Sequence, residues 1–66
     1  MYITIFAVYD FSIDSESLYE ELKVYKINVT DVIKNVLAYG RVDSYYLPDI
    51  IFILLKYGDA KITITK

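Results

Sequence analysis

The first strand is the clearest feature of the hydrophobic pattern. Residues 2–9 read YITIFAVY, and alternate side chains of an extended segment point to opposite faces of a sheet. Ile5 and Ala7 fall on one face and Phe6 and Val8 on the other, so both faces are apolar. A strand that is apolar on both faces is typical of the interior of a sheet. The pattern therefore predicts a central strand over residues 2–9.

A first helix is predicted after a short polar loop. Ser17 is followed three residues later by Glu20, which is the spacing of a capping box at a helix N-terminus. Over residues 18–25 the apolar residues, Leu22 and Tyr25 among them, share one helix face, while the charged residues point away. We therefore predict an amphipathic helix over residues 18–25.

A second helix is predicted over residues 28–40, NVTDVIKNVLAYG. Asn28 or Thr30 can cap its N-terminus, and Gly40 can adopt the left-handed conformation that ends many helices. The apolar residues follow the i, i+3, i+4, i+7, i+8 spacing of one helix face; they are Val29, Val32, Ile33, Val36 and Leu37. This stripe is expected to pack on the strand at residues 2–9.

The rest of the chain has two interpretations. An extended segment is expected up to Pro48. Residues 50–57 are rich in isoleucine, which favours the first strand of a hairpin that turns near Gly58 and returns through KITITK. The alternative is a short helix that begins at Asp49 and ends at Gly58.

With the hairpin interpretation, the chain is a single domain over residues 1–66 of the α+β class. Two consecutive amphipathic helices would pack on a small, mainly antiparallel sheet in the order β-α-α-β-β-β. The helices would cover one face of the sheet, so Phe6 and Val8 on the other face would have no cover. An uncovered apolar sheet face is a candidate dimer surface.

The composition also indicates a partner. A chain of 66 residues is marginally stable alone, and such domains usually rely on disulfides, a metal or a partner subunit. The sequence has no cysteine and no histidine, which excludes disulfides and the usual zinc sites, yet 56% of its residues are hydrophobic. We therefore expect a homodimer or a higher oligomer. The predicted interface residues are Phe6, Val8, Tyr39, Tyr45, Tyr46 and Tyr57.

The net charge of the chain argues against binding to nucleic acid through its phosphate groups. The formal net charge is −2, and the seven basic residues are mostly scattered singly along the chain. The tyrosines near Arg41 raise the alternative of an aromatic platform on which bases stack. Nucleic acid is therefore a possible partner, although a protein partner is favoured because basic residues do not alternate with the tyrosines.

Little in the sequence points to catalysis. Without cysteine or histidine, a serine nucleophile would need a lysine or a carboxylate as its base, and no nucleophile-elbow or phosphate-loop motif is present. Asp10 and Asp14, in the loop DFSIDSE, are candidates for ligands of Mg²⁺ or Ca²⁺. The alternative is a solvated turn before a helix. We expect no enzyme activity and no cofactor.

Residues 18–37, LYEELKVYKINVTDVIKNVL, resemble the helix pair of ribbon-helix-helix DNA-binding proteins, which include many antitoxins. Thr30 stands where those proteins cap the second helix, and Ile27, Ile33 and Leu37 match part of the aliphatic stripe. The resemblance implies a strand-helix-helix dimer that acts as a transcription regulator. It also implies that the segment after Gly40 would meet a toxin.

A second resemblance is to the small ferredoxin-like proteins of CRISPR adaptation. Residues 8–12, VYDFS, are similar to the pattern that ends their first strand, and residues 39–42, YGRV, are similar to a later motif. This resemblance implies a metal-dependent nuclease-like protein in which Asp10 is associated with metal.

Together these observations predict a non-catalytic protein-interaction module that acts as a homo-oligomer. The alternatives are the ribbon-helix-helix regulator or antitoxin and the nuclease-like protein. The first residues lack a basic leader, and IIFILL is too short to span a bilayer, so we expect a cytoplasmic protein without a membrane partner.

Overall fold

The computed structural model describes all residues, 1–66, and contains four strands and two α-helices. The strands are β1 (Tyr2–Tyr9), β2 (Asn28–Val32), β3 (Asn35–Asp43) and β4 (Lys61–Thr65). The helices are α1 (Ser15–Leu22) and α2 (Leu47–Lys56). Short 3-10 turns follow α1 at Lys23–Tyr25 and precede α2 at Ser44–Tyr46.

The four strands form one antiparallel sheet in the order β2-β3-β1-β4. The prediction that residues 2–9 lie inside the sheet is confirmed, because β1 pairs with β3 on one side and β4 on the other. The α+β class is confirmed as well. The predicted order β-α-α-β-β-β is wrong, because the elements follow one another as β-α-β-β-α-β. This is the split β-α-β, or ferredoxin-like, topology.

One hydrophobic core lies between the sheet and the two helices. It holds 12 buried residues, all of them apolar or aromatic, and no buried polar side-chain atom lacks a hydrogen-bond partner. From β1 the core takes Ile3, Ile5, Ala7 and Tyr9; from α1 and α2 it takes Leu18, Leu22, Ile50 and Leu54. Ile27, Val36, Ala38 and Val42 complete it. Both helices therefore cover the same face of the sheet.

The N-terminus of α1 lies slightly earlier than predicted. Asp14 is the N-cap, and its carboxylate accepts hydrogen bonds from the main-chain nitrogen of Ser17 at 3.1 Å and from the Ser17 hydroxyl at 2.7 Å. Ser17, which was predicted to be the N-cap, is thus the residue that donates hydrogen bonds to the N-cap Asp14. Helix α1 ends at Leu22, and only a 3-10 turn continues to Tyr25.

The predicted second helix at residues 28–40 is wrong. Residues 28–32 form β2 and residues 35–43 form β3, and a two-residue turn at Ile33 and Lys34 joins them. Five of the nine residues from Val29 to Leu37 are β-branched, which favours a strand over a helix. The spacing of the apolar residues fits the helical period of 3.6 residues as well as the strand period of 2. It does so because two successive strands place apolar residues on both faces of the sheet.

The predicted strand at residues 50–57 is also wrong, and the helical alternative holds. Pro48 occupies the first turn of α2, where its missing N–H costs nothing, and Asp49 lies in the same turn near the positive end of the macrodipole. Ile50 and Leu54, four residues apart, are the buried residues of α2. The segment KITITK contains β4, as both interpretations required.

Gly40 does not end a helix but lies within β3, where the chain before β2 crosses closely. A Cβ atom at this position would come within 3.1 Å of both the Lys26 carbonyl oxygen and the Ile27 Cα. These are main-chain atoms that cannot rotate away. The glycine is therefore needed for close approach of two backbones rather than for an unusual dihedral angle.

Candidate functional site

The face of the sheet opposite the helices is uncovered. Along β1 burial alternates, because Ile3, Ile5, Ala7 and Tyr9 point under the helices. The intervening side chains of Tyr2, Thr4, Phe6 and Val8 therefore point away from the core. We refer to this side of the sheet as the open face. Phe6 and Val8 lie on it, as the sequence pattern predicted.

Two aromatic residues occupy directly paired positions at the centre of the open face. Phe6 pairs directly with Tyr39 across the ladder between β1 and β3, and each is 40% exposed. The next pair on this face is Val8 with Leu37, both partly buried. Phe6, Val8, Leu37 and Tyr39 form what we call the central patch. Strand register brings them together, although thirty or so positions separate them along the chain.

The surroundings of the central patch are polar. On β4, Lys61, Thr63 and Thr65 lie opposite open-face residues of β1, and on β2 the corresponding residues are Asn28 and Thr30. Arg41 continues the open face of β3 and donates a hydrogen bond to the Thr4 hydroxyl at 3.3 Å. The open face thus has an apolar centre and a rim of hydroxyl, amide and two cationic groups.

The other predicted interface residues lie elsewhere. Tyr45 and Tyr46 belong to the 3-10 turn before α2; their ring centroids are 5.1 Å apart, and Tyr46 also lies 5.6 Å from Tyr25. The Tyr57 hydroxyl donates to the Glu21 carboxylate and so joins α2 to α1 on the helical side. The structure therefore brings Phe6, Val8 and Tyr39 together and separates them from these three tyrosines.

On the helical side, one carboxylate connects the two helices. Glu21 of α1 accepts hydrogen bonds from Lys56 and from the Tyr57 hydroxyl. These two donors, Lys56 first, hold the pKa of Glu21 below its ordinary value of 4.5. The hydrogen bond from the Tyr57 hydroxyl to Glu21, together with burial, raises the pKa of Tyr57 to about 12. This network connects α1 to α2.

The two candidate metal ligands occupy different places. Asp10 is an exposed residue just after β1, whereas Asp14 caps α1. The hydrogen bonds from Ser17 hold the pKa of Asp14 below its ordinary value. No group of three or more His, Cys, Asp or Glu residues is arranged to hold a metal ion.

A cleft of about 360 Å³ opens at the end of the sheet where Tyr2 pairs with Asp43. It lies between the last residues of β3 and the 3-10 turn after α1. The aromatic residues in its wall are Tyr2, Tyr25 and Tyr46, and the charged ones are Lys26, Arg41 and Asp43. Sequence reasoning did not find this cleft, because its walls come from four segments that only the fold brings together.

The outer surface of α2 is also apolar. Phe52 is 71% exposed and Leu55 is 51% exposed, and the two are three residues apart on the helix. This surface lies on the opposite side of the molecule from the open face. The chain thus exposes large apolar side chains on both layers.

Comparison with known proteins gives no relative from which a function could be transferred. No family model, no curated protein and no solved structure matches the chain. Membership of the ribbon-helix-helix family therefore stays a prediction, and the second helix of its helix pair is here the β2–β3 hairpin. None of the helices is both long enough and apolar enough to cross a membrane.

Proposed function

We propose that this chain is a non-catalytic interaction module that self-associates through the open face of its sheet. The observation that carries the proposal is the direct pairing of Phe6 with Tyr39, half-exposed on the two central strands. Interfaces between proteins typically have buried aromatic residues at their centre and a polar rim. The central patch and the threonines and asparagine around it have this distribution.

A second copy of the chain fits this face because the patch lies close to its middle. Phe6 is the fifth residue of β1 and Tyr39 the fifth of β3. In a two-fold interface the same surface is used twice, so an axis through the patch sets aromatic ring against aromatic ring. Two sheets stacked face to face at about 10 Å bury such side chains between them.

The size of the face sets the expected affinity. Four strands about 4.8 Å apart and averaging about seven residues span roughly 20 by 20 Å, or about 400 Å² in plan. Stable complexes bury about 800 Å² of accessible surface on each partner. Projecting side chains make the accessible area of this face larger than its plan area, yet the face remains at the small end of that range, which favours weak association. We therefore expect a dimer that dissociates in the micromolar range, roughly 1–100 µM.

Sedimentation velocity over a concentration series tests this proposal. The weight-average sedimentation coefficient should rise from the monomer value to the dimer value as the protein passes through roughly 1–500 µM. A coefficient that stays at the monomer value over the whole range would contradict self-association.

Single-stranded nucleic acid is a second candidate partner for the same face. Aromatic side chains on the central strands of a four-stranded sheet can stack successive bases, and cationic groups beside them can contact phosphates. Phe6 and Tyr39 could supply the rings, and Arg41 and Lys61 the charges. The one carboxylate at this end of the face, Asp43, lies 3.7 Å from the N-terminal ammonium of Met1. The open face is therefore locally basic, although the chain carries a net charge of −2.

Fluorescence anisotropy with a short labelled single strand separates the two candidates. A stacking platform should bind the strand with an affinity that falls as salt rises, and Tyr39→Ala should weaken that binding by a factor of about ten. An unchanged anisotropy up to the highest protein concentration would leave self-association as the function of the face. Ribbon-helix-helix-type regulation of duplex DNA is tested in parallel by a gel shift.

A further inference from the structure

We propose that the cleft at the Tyr2 end of the sheet is a binding site for a nucleoside monophosphate. The cleft is separate from the central patch, since it faces the 3-10 turn after α1 and includes neither Phe6 nor Tyr39. Its volume of about 360 Å³ is within the range of small-molecule sites, which typically measure about 300–1,000 Å³. The cleft shares Tyr2 and Arg41 with the edge of the open face, but the inference does not require self-association through the central patch.

The backbone at Lys26, in one wall of the cleft, is unusual in two respects. Lys26 has a φ of 62°, a left-handed conformation that is unfavourable for any residue with a Cβ atom. The same segment passes over Gly40 so closely that a Cβ there would lie 3.1 Å from the Lys26 carbonyl oxygen. The left-handed conformation of Lys26 ends the 3-10 turn, where its N–H donates to the Lys23 carbonyl at 2.9 Å. It also places a lysine in the wall of the cleft, at a position where a glycine or asparagine would satisfy the backbone better.

The charges around the cleft attract an anion. Lys26 and Arg41 contribute two cations, and the N-terminal ammonium lies 3.7 Å from the one carboxylate, Asp43. That carboxylate also accepts a hydrogen bond from the Tyr45 main-chain nitrogen at 3.0 Å. The cleft is therefore locally positive on an acidic chain, and the two basic side chains are of the types that bind phosphate.

The rings around the cleft select a flat ligand. Tyr25 and Tyr46 lie with their ring centroids 5.6 Å apart and their planes tilted by 52°, and Tyr2 is also part of the wall. Aromatic faces stack on nucleobases with little preference for sequence. Asp43 could accept a hydrogen bond from an exocyclic amino group of the base. A ligand with a flat ring, an amino group and a phosphate is a nucleoside monophosphate. Adenosine 5′-monophosphate (AMP) is the simplest probe of this class.

Titration of the full chain with AMP, followed by amide chemical shifts, tests the site. The protein should carry any purification tag at its C-terminus, so that the ammonium group of Met1 is unaltered. Saturable shifts are expected at residues 24–26, 41–43 and 46. Adenosine, which lacks the phosphate, should bind about tenfold more weakly than AMP.

The informative variant is Lys26→Asn, because asparagine tolerates the left-handed conformation, so the ammonium group and its stem are removed without a change of backbone. Its affinity for AMP should fall by about tenfold. The matched control is Lys34→Asn, which removes a lysine from the turn at the opposite end of the sheet and should leave AMP binding unchanged. Equal affinities of the two variants, shifts confined to other residues, or the absence of saturable binding would each overturn the proposal.

A free nucleotide and the end of a nucleic-acid strand present the same chemical groups to the cleft. Titration with a tetranucleotide distinguishes between them. Tighter binding of the tetranucleotide than of AMP, with additional shifts at Phe6 and Tyr39, would identify a strand that runs from the cleft onto the open face. Equal or weaker binding would identify the free nucleotide. Either result supports the cleft, provided that Lys26→Asn weakens it.

Discussion

The hydroxyl of Tyr9, at the end of β1, donates a hydrogen bond to the main-chain carbonyl of Leu54 in α2. The side chain is buried, and the bond connects residues that are 45 positions apart. Leu54 is in the last turn of α2, where carbonyl groups lack full intrahelical partners. This single phenol therefore fixes the C-terminal end of α2 against the central strand.

Replacing Tyr9 by phenylalanine should destabilise the fold. The substitution removes the donor but retains the ring, and a lost buried hydrogen bond costs about 1–2 kcal/mol. In a domain of this size that corresponds to a decrease in Tm of roughly 4–15 °C, measurable by circular dichroism. Tyr19→Phe is the matched control, because the Tyr19 side chain is exposed and makes no hydrogen bond, so its Tm should not change.

The same phenol should limit stability at high pH. Burial raises the pKa of Tyr9 to about 12, while in the unfolded chain the value is about 10. The stability that arises from this difference is fully present below pH 10 and is lost as the pH rises through 12. Urea unfolding at increasing pH should show this loss in the wild type and a smaller loss in Tyr9→Phe. Equal losses in both proteins would mean that Tyr9 is not the group responsible.

Phe6→Ser should abolish self-association, because it removes a ring from the centre of the open face. The matched control is Phe52→Ser, the same change on the outer surface of α2. Both side chains are exposed, so neither substitution should unfold the protein. Sedimentation velocity is expected to show a monomer for Phe6→Ser at concentrations where Phe52→Ser still dimerises. The reverse pattern would place the interface on α2.

Acid should loosen the contact between α1 and α2. The pKa of Glu21 is below its ordinary value because Lys56 and Tyr57 donate hydrogen bonds to the ionised carboxylate. The stability from this network is present above pH 4.5 and is lost as the pH falls through the lowered pKa. Glu21→Gln should therefore have a lower Tm at neutral pH and a flatter decline of Tm in acid. Glu16→Gln, which alters an exposed carboxylate without an ion pair, should keep the slope of the wild type.

Gly58 should not tolerate a side chain. Its φ is +126°, and an added Cβ would lie 2.8 Å from the end of the Phe11 ring. Gly58→Ala is expected to destabilise the fold by about 1–3 kcal/mol, measured by chemical denaturation. The double variant Phe11→Leu with Gly58→Ala isolates the backbone contribution, because the clash is relieved while the positive φ remains. Full recovery in the double variant would show that the dihedral angle costs nothing.

Asp14 should act as a helix cap rather than as a required ion ligand. Asp14→Ala should cost about 0.5–2 kcal/mol of the free energy of unfolding, whereas Asp14→Asn should cost little, since asparagine caps equally well. Thermal melts measure both. If Mg²⁺ or Mn²⁺ raises the Tm of the wild type and Asp14→Asn removes that increase, the carboxylate has a role in metal binding that capping does not explain.

The sequence predicted β1 well because its pattern is unambiguous: eight extended residues with apolar side chains on both faces. It also predicted that Phe6 and Val8 would lack a helical cover. The position of Tyr39 opposite Phe6 could not be predicted, because the pairing depends on the register between β1 and β3. A register is fixed by packing across the whole sheet and leaves no local signal at either residue.

The two errors in secondary structure arise from competing preferences. In residues 28–40 the spacing of valines and leucine fits a helix, but β-branched residues and a partner strand favoured the sheet. In residues 50–57 the isoleucines suggested a strand, but Pro48, Asp49 and the glycine after the helix marked its ends. The signals at the ends of α2 were the more reliable ones, because they satisfy specific main-chain groups.

The turn at Ile33 and Lys34 has a consequence for how the molecule folds. Two-residue hairpin turns normally use Asn-Gly or a similar pair with positive φ, and neither residue here has one. The loop therefore does little to initiate the hairpin. Contacts from elsewhere must position its strands, and the most extensive of these is the ladder between β3 and β1. The folding nucleus should accordingly consist of contacts between residues far apart in the sequence, and not of the local β2–β3 turn. An Asn-Gly turn at these positions would provide a faster route to the same native state.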